Sequence, residues 1–384
     1  MKFPKLSISI IGALVLSSIV SCGQKTKRSE SGKEIGTKAV YIGTYTKKEG
    51  HVDGKAEGIY LMQQNSETGA LKILRTVAEV VNPSFVKVSP DNKNLYAVSE
   101  LGPGDAESGF IYSFSIAEDN SLKELSKLPT GAFAPCHIGI DKTGKYIFVS
   151  NYVGGVVMMY ERKDDGSLKT LQKISLEGDN SHAHSVSVSS NNKQAYVADL
   201  GSDKIWIFDL DEKKNKLVPH KQKFVELEEG AGPRHFSFGK NNEYAYSINE
   251  LNNSVTVYKI RENGGLEIIQ NISSLPADFS GESAAADIHL HPSGKYLYVS
   301  NRGHNSIASF SVEKNSGKLR ALEYNSTKGK APRNFAISPD GNYLYAANQD
   351  SGNITTYKID NSNGTLRVLD EPVKVKTPVC IEFE

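Results

Sequence analysis

Seven copies of one short unit limit what this chain can fold into. A turn containing Gly or Asn is followed by a Leu that opens a strand, as in TGALKIL, DNSLKEL, DGSLKTL, KNKLVPH, GGLEII, SGKLRAL and NGTLRVL. The markers Leu71, Leu122, Leu168, Leu217, Leu266, Leu319 and Leu366 recur every 46–53 residues. A period of that length signals an array of supersecondary units, each needing its neighbours to cover its apolar faces.

A second unit recurs in step with the first. FAISPDGNYLYAAN and IHLHPSGKYLYVSN are alternating apolar strands around a Pro-Asp-Gly or Pro-Ser-Gly turn, the chemistry of a β-hairpin. Its aromatic markers are Tyr96, Phe148, Tyr196, Tyr246, Tyr298 and Tyr345, one copy fewer than the Leu unit. The missing copy is split between the ends. AVYIGTY, with Tyr41, matches the second hairpin strand, and the C-terminal TPVCIEFE matches the first. A third strand, such as SVTVYKI, precedes each Leu-marked fourth. The spacing therefore predicts an all-β fold over residues 38–384: a seven-bladed β-propeller with four antiparallel strands per blade, closed by pairing of the N- and C-terminal strands. An open solenoid leaves the split copy unexplained.

The first residues do not belong to this array. MKFPKLSISIIGALVLSSIVSC carries Lys2 and Lys5, then an apolar run from Leu6 to Val20, shorter than the roughly 20 residues of a membrane-spanning helix. Residues 1–21 read as a secretory signal peptide. SIVSC resembles a bacterial lipobox, which makes Cys22 the expected lipidated residue and 22–37 a polar tether. The expected location is the cell envelope, lipid-anchored, periplasmic or associated with the outer membrane, with the anchor as the only membrane contact.

Charge excludes a further class. The chain has 45 Lys and Arg against 44 Asp and Glu, so nothing favours nucleic acid electrostatically. Cys136 and Cys380, the other two cysteines, are too few for a disulfide framework, although they could pair with each other. GPGD and GGVV are turns with no helix after them, which excludes a phosphate-binding loop, and there is no nucleophile elbow. HAH (His182, His184) and HLH (His289, His291) each place two imidazoles on one strand face, but no third ligand accompanies them. No metal or cofactor is expected. Trp206 reads as blade packing.

The repeats can be aligned on the aromatic marker. Twelve residues before it stand Ser84, Cys136, His184, Arg234, Ala286 and Arg333; one position later stand Phe85, His137, Ser185, His235, Asp287 and Asn334. The second strands end in Ser99-Glu100, Asn151-Tyr152, Asp199-Leu200, Asn249-Glu250, Asn301-Arg302 and Asn348-Gln349. Hairpin register sets Arg234 opposite Asn249 or Glu250. All these positions fall on one rim of the channel. Tyr and Asn repeat from copy to copy, whereas His184, Arg234, Glu250 and Arg302 break the pattern on three consecutive blades. One imidazole, two guanidiniums and one carboxylate thus share a rim. An exposed Arg234–Glu250 ion pair without function remains open at this level.

HAHSVSV, GPRHFSF, SINE and YLYVSNRG, together with the SPDG-type hairpins, resemble the seven-bladed propeller lactonases, the family of 6-phosphogluconolactonase and fungal carboxy-cis,cis-muconate cyclase. The likeness covers nearly all of the chain after the tether. It implies a hydrolase that opens a sugar-acid lactone, with His184, Glu250, Arg234 and Arg302 as catalytic residues. His184 or Glu250 would be the base, and the guanidiniums would hold an acidic substrate and the oxyanion. His235, Asp287, His182 and Asn301 follow as substrate-binding candidates. The implied partner is a small acidic lactone or sugar acid. A phosphorylated cytosolic lactone fits an exported chain poorly, so another sugar lactone stays open. A lactone-forming cycloisomerase and a non-catalytic envelope propeller binding a glycan or protein are the alternatives.

Overall fold

The computed structural model describes residues 36–50, 52–369 and 371–384, together with Met1 and Pro4. The expected signal segment, Cys22 and nearly all of the tether lie outside the described residues. The first strand begins at Thr37, the last residue assigned to the tether. No helix occurs among the described residues.

Seven four-stranded antiparallel meanders form the ring. Blade 1 runs, from the channel outwards, Pro378–Phe383, Thr37–Thr44, Ile59–Asn65 and Leu71–Ala78. Blades 2 to 6 each take four consecutive strands; their first strands are Val86–Val88, Phe133–Ile140, Ala183–Val188, Pro233–Phe238 and Ala284–Leu290. Blade 7 begins with Pro332–Ile337 and adds the short strand Val373–Lys374 at its outer side. The first strands contact one another in ring order and line the channel.

The C-terminal strand closes the ring as the split repeat requires. Val40 pairs with Phe383 and Ile42 with Ile381. The strand also ties both neighbouring blades together. Glu382 accepts from the Val88 amide at 3.1 Å and pairs with Lys87 at 3.0 Å, while the Ile381 amide donates to Asn334 at 2.8 Å.

The core lies between blades. Each junction between adjacent blades holds one apolar cluster, seven in the ring. On Tyr244–Asn249, Tyr246 and Ile248 face blade 6 while Ala245 faces blade 4. Second strands therefore read as nearly unbroken apolar runs, because both faces are covered. Each fully buried large side chain contributes about 1.5–3 kcal/mol. Fourth strands are mostly exposed, and their opening Leu is the main apolar anchor, as in Leu71–Ala78.

The two sequence markers meet at these junctions. The Tyr196 hydroxyl donates to the Gly264 carbonyl of the next blade at 2.8 Å. Tyr246 does so to Gly317, Tyr298 to Gly364 and Tyr345 to Gly69, at 2.9–3.1 Å. Each acceptor is in the turn before a Leu-marked strand. Two junctions differ: Phe148 of blade 3 has no hydroxyl to offer blade 4, and between blades 2 and 3 Ser113 rather than Tyr96 donates to Gly166, at 2.6 Å. Gly317 has φ +66°, and a Cβ there would lie 2.3 Å from the Tyr244 ring. Gly317→Ala combines a left-handed backbone with that overlap and should cost about 1–3 kcal/mol. Thermal unfolding is expected to show a lowered midpoint with unchanged β-sheet circular dichroism; an unshifted midpoint would contradict the joint.

Candidate active site at the channel mouth

The site rests on a backbone irregularity that recurs in blades 3 to 7. The first strand of each carries a β-bulge where it starts: at Pro135/His137, Ala183/Ser185, Pro233/His235, Ala285/Ile288 and Pro332/Asn334. The residues left unpaired are Cys136, His184, Arg234, Ala286–Asp287 and Arg333. A bulge residue is free of the strict in–out alternation of a strand, so it can be aimed at the channel mouth. This corrects the expected register. Pro233, not Arg234, faces Asn249, and Arg234 has no cross-strand partner.

Arg234, almost wholly buried, reaches Glu250 from the bulge. Its Nε lies 3.0 Å from Glu250 Oε2, an ion pair in which the N–H is not aimed along the contact. Arg302, at the end of Tyr296–Arg302, brings its Nη2 within 2.8 Å of the same oxygen and donates to the Ala284 and Ala285 carbonyls. One carboxylate oxygen thus holds two guanidiniums from adjacent blades. Burial opposes the Glu250 charge, but Arg302, Arg234 and Arg333 outweigh it and hold its pKa below the usual value. Burial, with Arg333 and Arg302 nearby, lowers Arg234 to about 10, so it stays charged at neutral pH.

His184 lies on the neighbouring blade. Burial and the Arg234 charge push its pKa well below 6.5, so it is a neutral imidazole. Its Nδ1 is 3.9 Å from Cys136 Sγ, while its Nε2 makes no hydrogen bond among the described residues. The site opens into a cavity of about 460 Å³ whose walls include Glu100, Tyr152, His184, Glu250, Arg302 and Arg333. That volume suits a small-molecule ligand.

The four substrate-binding candidates do not line this cavity. Asn301 is fully buried, and its amide is spent on Ser274 and Ser306. Equivalent buried asparagines brace blades 3, 5 and 7 through Asn151, Asn249 and Asn348. His182 sits behind the cavity wall, stacked on Tyr152 with ring centroids 4.4 Å apart and planes at 7°. Asp199, at the same slot as these asparagines, holds the His182 segment through Ser181 Oγ and the His182 amide, and also accepts from the Trp206 indole.

His235 and Asp287 belong to a layer beneath. Arg234 Nη1 donates to His235 Nε2 at 3.2 Å, which places the imidazole proton on Nδ1, 2.7 Å from Asp287 Oδ1. Asp287 also accepts from His289, Asn334 and the Ile288 and Phe335 amides. The rings of Phe85, His137 and His235 fill the channel, with centroids 4.5 Å apart for the first pair and 5.3 Å for the second. These side chains fix Arg234 from below. Cys136 and Cys380 are both free and buried.

Sequence reasoning passed over two residues. Arg333 and Glu100 occupy the same slots as Arg234 and Glu250, and both line the cavity. Their charge, at slots that several other blades fill with neutral side chains such as Ser84, Ala286, Tyr152 and Leu200, was the available signal.

Comparison with known proteins places this geometry in context. The family model described as lactonase, seven-bladed β-propeller, matches residues 39–383. A 6-phosphogluconolactonase of Formosa agariphila is 35% identical over 312 residues, 78% of this chain and 86% of that protein. A 6-phosphogluconolactonase of Bacillus subtilis is 31% identical over 353 residues, 89% of this chain and 97% of that protein. The crystal structure of a Pseudomonas aeruginosa periplasmic gluconolactonase superposes with a TM-score of 0.84 at 31% identity, covering 90% of this chain and 99% of that one.

The buried imidazoles make stability depend on pH. Unfolded, each takes up a proton near pH 6.5; folded, His235 does so only at about 4, because burial and Arg234 oppose its charge, and His184 and His137 also protonate well below 6.5. Across that interval the unfolded chain binds more protons, so stability falls as pH drops below 6.5. His235 alone should contribute about 1.5 kcal/mol of that loss between pH 6.5 and 5. Chemical denaturation over this range is expected to show a slope that His235→Gln reduces; a flat profile would count against neutral buried imidazoles.

Proposed function

The chain belongs to the seven-bladed β-propeller lactonase family, and on that premise we propose that it hydrolyses a sugar-acid lactone in the channel-mouth cavity. One observation carries the reading: Glu250 clamps two guanidiniums beside a neutral His184 that keeps an unpartnered ring nitrogen. The chain shares its family with proteins named for sugar-acid lactones, which favours lactone opening over lactone formation.

His184 is the better base. Glu250 is stabilised as an anion by two ion pairs, which weakens its pull on a proton. His184 is unprotonated at neutral pH and has no ion pair to break. Its Nε2 takes a proton from water as the water oxygen bonds to the lactone carbonyl carbon. The carbonyl oxygen becomes an oxyanion, which Arg302 stabilises with Arg234 behind it. The developing negative charge offsets the Arg234 field that otherwise disfavours imidazolium at His184. The tetrahedral intermediate then collapses, the ring C–O bond breaks, and the leaving alkoxide recovers the proton from His184. The product is the open hydroxy acid. Glu250 holds the two guanidiniums at fixed separation so that neither must reorganise as charge develops.

His184→Ala should lower kcat about 100-fold or more with a smaller change in KM, as expected for loss of a general base. Glu250→Gln should raise KM as well, since it frees both guanidiniums. Acid release from glucono-δ-lactone and related sugar lactones, against a blank for spontaneous opening, measures both. A His184→Ala enzyme as fast as the unaltered protein would remove the base assignment. Wild-type protein that accelerates no lactone would leave the binding-propeller reading.

The proposal extends to location. The N-terminal segment suits export and lipidation at Cys22, and a structural relative is described as periplasmic. Cys22→Ser should abolish radiolabelled palmitate incorporation and release the protein from the membrane fraction. Wild-type protein without label would refute the anchor.

A further inference from the structure

General-base action at Nε2 places a condition on the rest of the His184 ring. A neutral imidazole carries its proton on Nδ1 or on Nε2, and only the bare nitrogen can take a proton from water. Abstraction by Nε2 therefore requires the His184 proton to stand on Nδ1. An imidazole that nothing holds divides between the two forms, and the form protonated at Nε2 is useless for this step. The hydrogen bond that Nδ1 makes decides between them.

Blade 3 supplies that bond. Cys136 fills the bulge slot there that His184 fills in blade 4, and the two side chains meet across the junction. Among the described residues Cys136 Sγ is the one hydrogen-bonding partner of His184 Nδ1, at 3.9 Å. Tyr152 and His235 meet the ring edge to face, with centroids 5.8 and 5.3 Å away, which steadies its plane but does not place its proton. Cys136 is almost wholly buried. Burial and the Glu100 charge push its thiol far above the ordinary value, so the sulfur keeps its proton. A thiol has one proton to give. Three carbonyls surround this one: His184 at 3.4 Å, Ser150 at 3.7 Å and Ala183 at 3.8 Å. All three can only accept. The S–H goes to the nearest, the His184 carbonyl, and the sulfur lone pairs are left for the ring. Sulfur is a weak acceptor, but it is the partner that Nδ1–H has.

We propose that Cys136 is a positioning residue for the base: its S–H is held by the His184 backbone carbonyl, and its sulfur accepts from His184 Nδ1–H, which leaves Nε2 bare. The inference rests on the assignment of His184 as base and adds the group that prepares it. A neutral thiol suits this place. A carboxylate there would also fix the proton on Nδ1, but its charge would favour the imidazolium and so draw a second proton onto Nε2 before substrate arrives. The thiol selects the tautomer without adding that charge. When Nε2 accepts a proton from water, the Nδ1–H bond to sulfur stays as it was, so the base need not turn during the step.

Nuclear magnetic resonance of protein labelled with nitrogen-15 in its histidine rings reads the tautomer directly, with His184→Gln to assign the signals. It needs no turnover, so its failure is separable from failure of the lactonase assignment, which the hydrolysis assay reads. At neutral pH the unaltered protein should show His184 protonated at Nδ1 and bare at Nε2. In Cys136→Ala the two ring signals should draw together as both tautomers become populated. In the hydrolysis assay Cys136→Ala should lower kcat about 3- to 10-fold, the range of one weak hydrogen bond, with KM within about 2-fold of the unaltered value. A loss of packing alone would move neither the tautomer nor kcat in this way. A His184 proton on Nε2 in the unaltered protein would overturn the proposal, and that result requires no variant to fold. A folded Cys136→Ala protein with unchanged His184 ring signals would overturn it as well.

Discussion

Burial of both faces of every blade is the constraint from which the rest of this structure follows. A single four-stranded sheet cannot cover its own apolar side chains, and a row of such sheets leaves two faces open at its ends. Only a closed ring removes them. Closure makes Val40 and Ile42 partners of Phe383 and Ile381, and it places one apolar cluster at each of seven junctions. The Tyr–Gly joints then fix the spacing between neighbours, since each hydroxyl must reach a carbonyl in the next blade.

Within so regular a frame, chemistry needs a place where side chains escape alternation. The bulges at the start of the innermost strands provide it. They recur whether or not the residue they free is polar, as Cys136 and Arg234 show at equivalent positions. The scaffold thus offers the same opening repeatedly, and the sequence fills a few of them with charge. Glu250 then holds guanidiniums from two blades on one oxygen, so the relative position of blades 5 and 6 becomes part of the site geometry.

Much of this was legible in the sequence because repetition supplies its own control. The Leu and Tyr markers gave blade number and closure, and departures at aligned slots singled out His184, Arg234, Glu250 and Arg302. The failures have physical causes. Simple hairpin counting assumes unbroken pairing, so it set Arg234 opposite Asn249 or Glu250, where a bulge intervenes. Asn301 looked available because it neighbours Arg302, yet its slot is an internal brace, which its repetition as Asn151, Asn249 and Asn348 already implied. Arg333 and Glu100 were passed over because each was judged alone rather than by whether its hairpin supplied an opposite charge. His235 and Asp287 act on the site through Arg234, a relation that no spacing in the sequence displays.

The packed layer of Phe85, His137, His235 and Asp287 has a consequence for traffic. It turns the axial channel into a blind well, with the cavity as its open end. A molecule leaving by that open end carries a newly made carboxylate past the guanidiniums of Arg302 and Arg333. The strength of that cationic lining therefore bears on the release of an acid as well as on its capture.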